Sequence, residues 1–267
     1  MSRRLDVALR PHALDATTTV AVVVDVIRAS TSLVTLVERQ ASPIYVAQTV
    51  EAAHRAVAAR PHPPAGEPTA GTGRRPLLIG EEYGLPPEGF DYGNSPALLA
   101  TAAVAGRAVI FATTNGAPAF YAAAGAGTVL AGCLRNAAAV AEAAWDRAGD
   151  DGAVTVVCAG RSGSAGTFGA DDLYAAGVIV ERIRRLDAVT LLDGAEAALL
   201  LHAAEPDALR FFRRTAGGRH VAGLGLEADL LFCADVDRSR AVPRLGEDLF
   251  LLKEPSHVLA PRDPRGP

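Results

Sequence analysis

The chain repeatedly places a short, uninterrupted apolar run before a longer alanine-rich segment, and this rhythm restricts its fold more than any other feature. The runs are TVAVVV (19–24), PIYVA (43–47), PLLIG (76–80), AVIFA (108–112), TVLAG (128–132) and AVTVVC (153–158). Their Val and Ile content and their length predict strands. The segments SLVTLVERQ, TVEAAHRAVAAR, SPALLATAAVAG, NAAAVAEAAWDRAG and ADDLYAAGVIVERIRRL have helical periodicity. Strands that are apolar throughout, rather than at alternate positions, belong in a sheet covered on both faces. The expected fold is therefore layered α/β/α with a largely parallel or mixed sheet, and its chemistry should lie at the carboxyl ends of the strands.

A chain of 267 residues can bury a large core, and the rhythm runs unbroken through most of it. The reading is one α/β domain over 1–257 and a flexible tail over 258–267. The Pro- and Gly-rich stretch 60–76 is read as a mobile surface loop, since the same pattern continues on both sides of it. Residues 187–257 are mainly helical in pattern and end in RAVPRLGEDLFLLKE, which adds one or two closing strands. With a net charge of −4 and no basic run, the chain lacks the footprint of a nucleic-acid binder. Cys133, Cys158 and Cys233 are isolated, with no C-x-x-C pair, and suit a reducing compartment. No run reaches the roughly 20 apolar residues of a membrane span. A cytoplasmic location without membrane contact is the expectation, and a homodimer follows from how often soluble chains pair.

Polar clusters close several of the predicted strands. DVIRAST follows the first run and supplies Asp25 and Arg28; it fits either a helix cap with a charge pair or a site, but an ionised Asp25 at the end of a buried strand needs a metal or an arginine. EEYGLPPEGFDYGNSP follows 76–80 and concentrates Glu81, Glu82, Glu88 and Asp91, with Glu81 placed as a ligand for a hard cation. Ser95 before Pro96 reads as a helix cap. After 108–112, Thr113, Thr114 and Asn115 bring neutral donors to the same edge, and Asn115-Gly116 signals a turn.

In VVCAGRSGSAGTFGADDLYAAG, Gly160, Gly163, Gly166 and Gly169 recur at every third position before Asp171 and Asp172. Such a loop can converge backbone amides on an anion, yet neither G-x-G-x-x-G nor G-K-[ST] is present. The acids make sense if one carboxylate holds a cation while the loop and Arg161 hold the anionic group of a substrate. A phosphate ester suits such a pocket.

Together, VVVDVIRAST, GEEYGLPPEGFDYGNSP, ATTNGAPA, AGCLRNAAAVA and CAGRSGSAGTFGADDLYAAG resemble the 2-phosphosulfolactate phosphatase family, in that family's order, with the later VPRL similar to its closing segment. The resemblance implies a magnesium-dependent enzyme that hydrolyses 2-phospho-3-sulfolactate to sulfolactate and phosphate, a step toward coenzyme M in methanogens. It directs attention to Asp25, Arg28, Glu81, Asp91, Asn94, Thr114, Asn115, Arg161 and Asp172. On this reading Asp25, Glu81 and Asp172 hold Mg2+, Arg28 and Arg161 bind the oxyanions, and Thr114 and Asn115 orient the ester or water. Asp91, Asn94, Gly160 and Gly163 complete the substrate site. Two positions depart from the family pattern: Glu82 stands where a basic residue is usual, and Asp171 where a glutamate is usual.

Three other readings remain: a phosphoenzyme formed on Asp25, a noncatalytic binder of a small organophosphate or sulfonate, and dinucleotide redox chemistry with Asp193 as ribose partner. The six histidines are scattered and form no metal motif, and Tyr83, Tyr92 and Phe168 read as packing residues.

Overall fold

The computed structural model describes residues 3–58, 74–161 and 167–252. The tail 258–267 and most of the stretch 60–76 lie outside the described residues. In chain order the strands are β1 (Arg4–Ala8), β2 (Val20–Val24), β3 (Ile44–Ala47), β4 (Leu77–Gly80), β5 (Val109–Ala112), β6 (Thr128–Gly132), β7 (Ala153–Cys158), β8 (Thr190–Leu191) and β9 (Leu249–Leu251). The helices are α1 (Ala29–Glu38), α2 (Val50–Ala58), α3 (Pro96–Leu99), α4 (Gly116–Ala123), α5 (Ala137–Ala148), α6 (Ala170–Leu186), α7 (Asp193–Ala204), α8 (Ala208–Phe212), α9 (Ala216–Gly223) and α10 (Glu227–Ala234).

The strands form two parallel sheets, ordered β6-β2-β7-β1-β8 and β4-β5-β3-β9. Successive side chains of a strand point to opposite faces, and here each face has its own core. Val20, Val22 and Val24 of β2 pack with Val140 and Ala144 of α5 and Ile179 and Ile183 of α6. Ala21 and Val23 face the other way, toward Leu33 and Leu36 of α1 and Phe120 of α4. The same second core takes Leu77 and Ile79 of β4 and Val109 and Phe111 of β5, so α1 and α4 fill the space between the sheets. Leu78 and Ile110 point outward to Ala52 and Ala53 of α2. The layered α/β reading is correct, but its single sheet is two, because continuous apolar runs reveal covered faces and not which strands are neighbours.

The expected closing strand is β9, which pairs in parallel with β3, and α7–α10 account for the helical pattern after 187. The expected helix over SPALLATAAVAG is reduced to the single turn α3, capped by Ser95 Oγ accepting from Leu98 N at 3.3 Å. The chain turns at once to enter β5, with Arg107 N donating to Val104 O. No helix among the described residues is long and apolar enough to cross a membrane.

The carboxyl ends of strands from both sheets meet, which brings Asp25 after β2, Glu81 after β4, Thr114 and Asn115 after β5 and Arg161 after β7 around one pocket. Gly80, the last residue of β4, has no room for a side chain, because a Cβ there would strike the carbonyl of Ala112 on β5. Gly80→Ala is expected to push β4 off β5, displace Glu81 and lower the Tm by roughly 5 °C or more, as read by thermal denaturation. An unchanged Tm would mean the strands tolerate the separation.

Candidate active site

The pocket has a volume of about 190 Å³ and is walled by the strand-end residues Asp25, Ile27, Arg28, Glu81, Tyr83, Gly84, Asn94, Thr114, Asn115 and Arg161, with Gly217, His220 and Val221 of α9 on the far side. Asp25 is buried. Its Oδ1 accepts from Ala29 N at 3.3 Å, and its own amide donates to Ser30 Oγ at 3.1 Å. The first turn of α1 thus holds the carboxylate at the end of β2. The helix α4 begins so close to Asp25 that a Cβ on Gly116 would lie 2.9 Å from Asp25 Oδ2 and 2.5 Å from Ala29 Cβ. Gly116 serves this close approach as much as a turn.

Glu81 staples two strand-end loops together, its Oε1 accepting from Thr114 N at 2.7 Å and its Oε2 from Gly84 N at 2.8 Å. Arg28 is anchored at both ends of its guanidinium. Nη1 donates to Asp229 Oδ2 at 2.8 Å and Nη2 to the carbonyl of Gly84 at 2.5 Å. Asp229, on α10, is itself 1% exposed and also accepts from Ser95 Oγ at 2.6 Å and from Ala97 N at 3.3 Å. Nothing in the helical pattern of 187–257 singled out Asp229. The α9 wall was missed as well, and His220, whose Nε2 lies 3.1 Å from the carbonyl oxygen of Tyr83, belongs to no motif that spacing could reveal.

The other expected site residues lie elsewhere or make different contacts. Asn94 lines the pocket and is buried, and its Oδ1 has no hydrogen-bond partner. Asp91 stands apart from the lining: it pairs with Arg75 at 2.6 Å and accepts from Leu78 N at 2.8 Å, which pins β4. Gly160 has φ +68, and its amide donates to Asp172 Oδ2 at 3.0 Å. The loop that follows is closed at its base by Arg161 N donating to Thr167 O at 2.8 Å. Gly163 and Gly166 lie outside the described residues. Glu82 is exposed and takes part in a tight turn with Leu85, away from the pocket lining.

Asp172 is not among the residues that line the pocket with Asp25 and Glu81. Its Oδ1 accepts from Val26 N at 2.9 Å while Oδ2 takes the Gly160 amide, so the side chain ties β2 to the end of β7 behind the pocket wall. Among the described residues no three His, Cys, Asp or Glu side chains are grouped to hold a metal ion. The carboxylates that line the pocket are Asp25 and Glu81. That donor set still fits a hard divalent cation, which is satisfied by one or two carboxylates with water and phosphate oxygens completing the shell. Each Glu81 oxygen spends one lone pair on an amide and keeps another.

Crowding of buried acids sets the electrostatics. Burial first, and then the charge of Glu81, pushes the Asp25 carboxyl up to about 7. Burial, reinforced by Asp171 and Asp25, holds Asp172 well above the ordinary carboxylate range. Burial also raises Asp171, against the opposing charge of Arg161.

Comparison with known proteins identifies the family over most of the chain. A family model described as 2-phosphosulpholactate phosphatase matches residues 8–248. Over 255 residues the chain is 40% identical to a probable 2-phosphosulfolactate phosphatase of Thermus thermophilus, covering 94% of this chain and 98% of that one. It is 38% identical over 252 residues to a protein of the same description from Deinococcus radiodurans, covering 93% and 96%. The counterpart from Thermotoga maritima is 30% identical over 235 residues, covering 88% and 92%.

Two substitutions should move stability in opposite directions. A carboxyl whose folded pKa is raised holds its proton more tightly in the native state, so its stabilising effect is present at low pH and is lost as pH rises from the unfolded value toward about 7. Asp25→Asn removes that penalty, and in metal-free protein it should raise the Tm at about pH 8 and much less at about pH 5. A Tm gain independent of pH would contradict the assignment. Asp229→Ala leaves the Arg28 guanidinium buried without its counter-charge, which should cost roughly 3–5 kcal/mol in denaturant unfolding.

Proposed function

Because the chain belongs to the 2-phosphosulpholactate phosphatase family of phosphoric monoester hydrolases, we propose that this pocket hydrolyses 2-phospho-3-sulfolactate to 3-sulfolactate and phosphate with Mg2+ as cofactor. The observation that carries this reading is the meeting of two carboxylates, Asp25 and Glu81, with two arginines, Arg28 and Arg161, in one pocket. A bare acidic pocket repels a phosphate dianion, and bare arginines would bind it without using the carboxylates. The combination suits a phosphoester bound as a complex with a cation.

Asp25 and Glu81 are the residues that would hold the ion. When bound, magnesium supplies charge neutralisation to the phosphoryl oxygens and acts as a Lewis acid. The other steps fall to the chain's own groups. Arg28 and Arg161 present forked donors to the oxyanions. The Arg28 fork is fixed by Asp229 and the Gly84 carbonyl, so little reorganisation accompanies binding. Thr114 and Asn115 orient the attacking water. Its oxygen bonds to phosphorus, the bond from phosphorus to the ester oxygen breaks, and the pair left on that oxygen takes up a proton to give the hydroxyl of sulfolactate. His220 and Val221 of α9 form the far wall of the pocket. Asp172 acts indirectly, by fixing Val26 and Gly160 on either side of the site. The three cysteines are free and buried, which supports a cytoplasmic setting.

Chelation should abolish phosphate release from 2-phosphosulfolactate and added Mg2+ should restore it. Glu81→Gln should lower kcat on the order of 10³-fold, with saturating Mg2+ giving at most partial recovery. Full turnover in the presence of a chelator would remove the cation from the reading. Radiolabelled phosphate recovered on Asp25 would replace direct water attack with a phosphoenzyme.

A further inference from the structure

We infer that a second cavity, beside the active-site pocket, is a leaving-group subsite that binds the anionic end of the substrate remaining after the phosphoryl group is removed. This rests on the phosphatase reading and extends it to the other half of the substrate. The cavity measures about 610 Å³ against about 190 Å³ for the pocket. Thr114, Asn115 and Arg161 line both, so these side chains form the shared wall.

The sheet order creates this neighbour. β1 lies next to β7, with Ala8 opposite Val157, so the segment Leu9–His12 leaves its strand alongside Ala159–Arg161. Leu9, Pro11, Pro118 and Ala159 give the cavity apolar walls, while Arg10 and His12 bring basic groups to it in addition to Arg161. The opposing acid is Asp6, whose Oδ1 is already engaged by Val7 N at 2.8 Å. A mostly apolar cavity with a few convergent cationic donors suits a short carbon chain ending in a carboxylate or sulfonate, since arginine matches the flat or trigonal oxygen array of both.

Size and charge assign the two ends. Pockets for small-molecule ligands run to roughly 300–1,000 Å³, so the first pocket, at about 190 Å³, is small and the neighbouring cavity offers the larger space. That pocket also holds the carboxylates Asp25 and Glu81. A second anionic group is better placed beyond the shared wall, where the basic groups outnumber the one acid. Arg161 can then hold either end, and the ester linkage would lie across Thr114 and Asn115.

The test compares two substrates in wild type and in Arg10→Gln. One is 2-phosphosulfolactate, with an anionic tail, and the other is propyl phosphate, with an uncharged one. The expected result is that Arg10→Gln lowers the ratio of kcat/KM for 2-phosphosulfolactate over propyl phosphate about tenfold, mainly through KM. A purely structural role for Arg10 would lower both values together, and an unchanged ratio overturns the subsite. Calorimetric titration with 3-sulfolactate separates this inference from the phosphatase reading. If wild type hydrolyses neither ester but binds 3-sulfolactate about tenfold more tightly than Arg10→Gln does, the subsite stands and the reading falls. Equal binding by both proteins overturns the subsite.

Discussion

Asp25 is held out of water beside Glu81, and the rest of the site is arranged around the cost of keeping the two carboxyl groups there. In bulk solvent two carboxylates separate; here each is fixed by backbone amides that belong to different layers. Asp25 is tied to the first turn of α1 between the sheets, and Glu81 links the loops that follow β4 and β5 of the second sheet. Bringing the acids together and aligning the two sheets are therefore a single structural event. The carboxyl group of Asp25, raised to about 7, is the measure of that cost. A cation or a proton can offset it. A family of enzymes that acts on dianionic phosphoesters has reason to keep such a place, because the bound charge then works on the substrate as well as on the protein.

Arg28 and Asp229 carry the same logic to the C-terminal helices. Both side chains are nearly inaccessible to water, and their ion pair joins residues 201 positions apart. Burying such a pair gains little net stability, but removing one partner is expensive. The arrangement therefore favours one seating of α10 on the strand ends. Because α9 precedes α10 directly, that seating also sets the far wall of the pocket with His220 and Val221. Specificity of closure, rather than stability, is what the pair contributes.

The sequence was legible where a physical signal is local. Runs such as VAVVV and VVC announce strands covered on both faces, and ADDLYAAGVIVERIRRL has the apolar period of the 17-residue α6. RLDVA, by contrast, alternates buried and less buried residues over five positions, too short to be distinctive, so β1 and the cavity beside it were hidden. Division into two sheets was hidden too, because strands such as β2 and β5 are apolar on both faces in either arrangement. At the site, Asp25, Glu81, Thr114, Asn115 and Arg161 could be read because polar residues directly after buried strands collect at one edge. Asp91 follows the same rule in sequence but serves β4, and Asp172 looks like a ligand but is absent from the pocket lining, its oxygens accepting from Val26 N and Gly160 N. Such distinctions depend on which side chains reach the pocket in three dimensions, which no spacing records. His220 and Asp229 approach from helices whose own pattern is only amphipathic.

The glycines make the same point in reverse. A glycine-rich turn between a strand and a helix suggests backbone amides gathered for a phosphate, yet the Gly160 amide is directed at Asp172. Gly116 lies against Asp25, and a Cβ on Gly217 would meet Asp171 Oδ2, with Arg161 Nη1 3.4 Å away. At Gly116 and Gly217 the missing side chain lets backbone close on a buried acid. The described part of the loop therefore supplies support for carboxylates, and the arginines that line the pocket are Arg28 and Arg161. Neither nucleotide-loop signature is present in the sequence, and the positive charge on the pocket wall comes from arginine side chains.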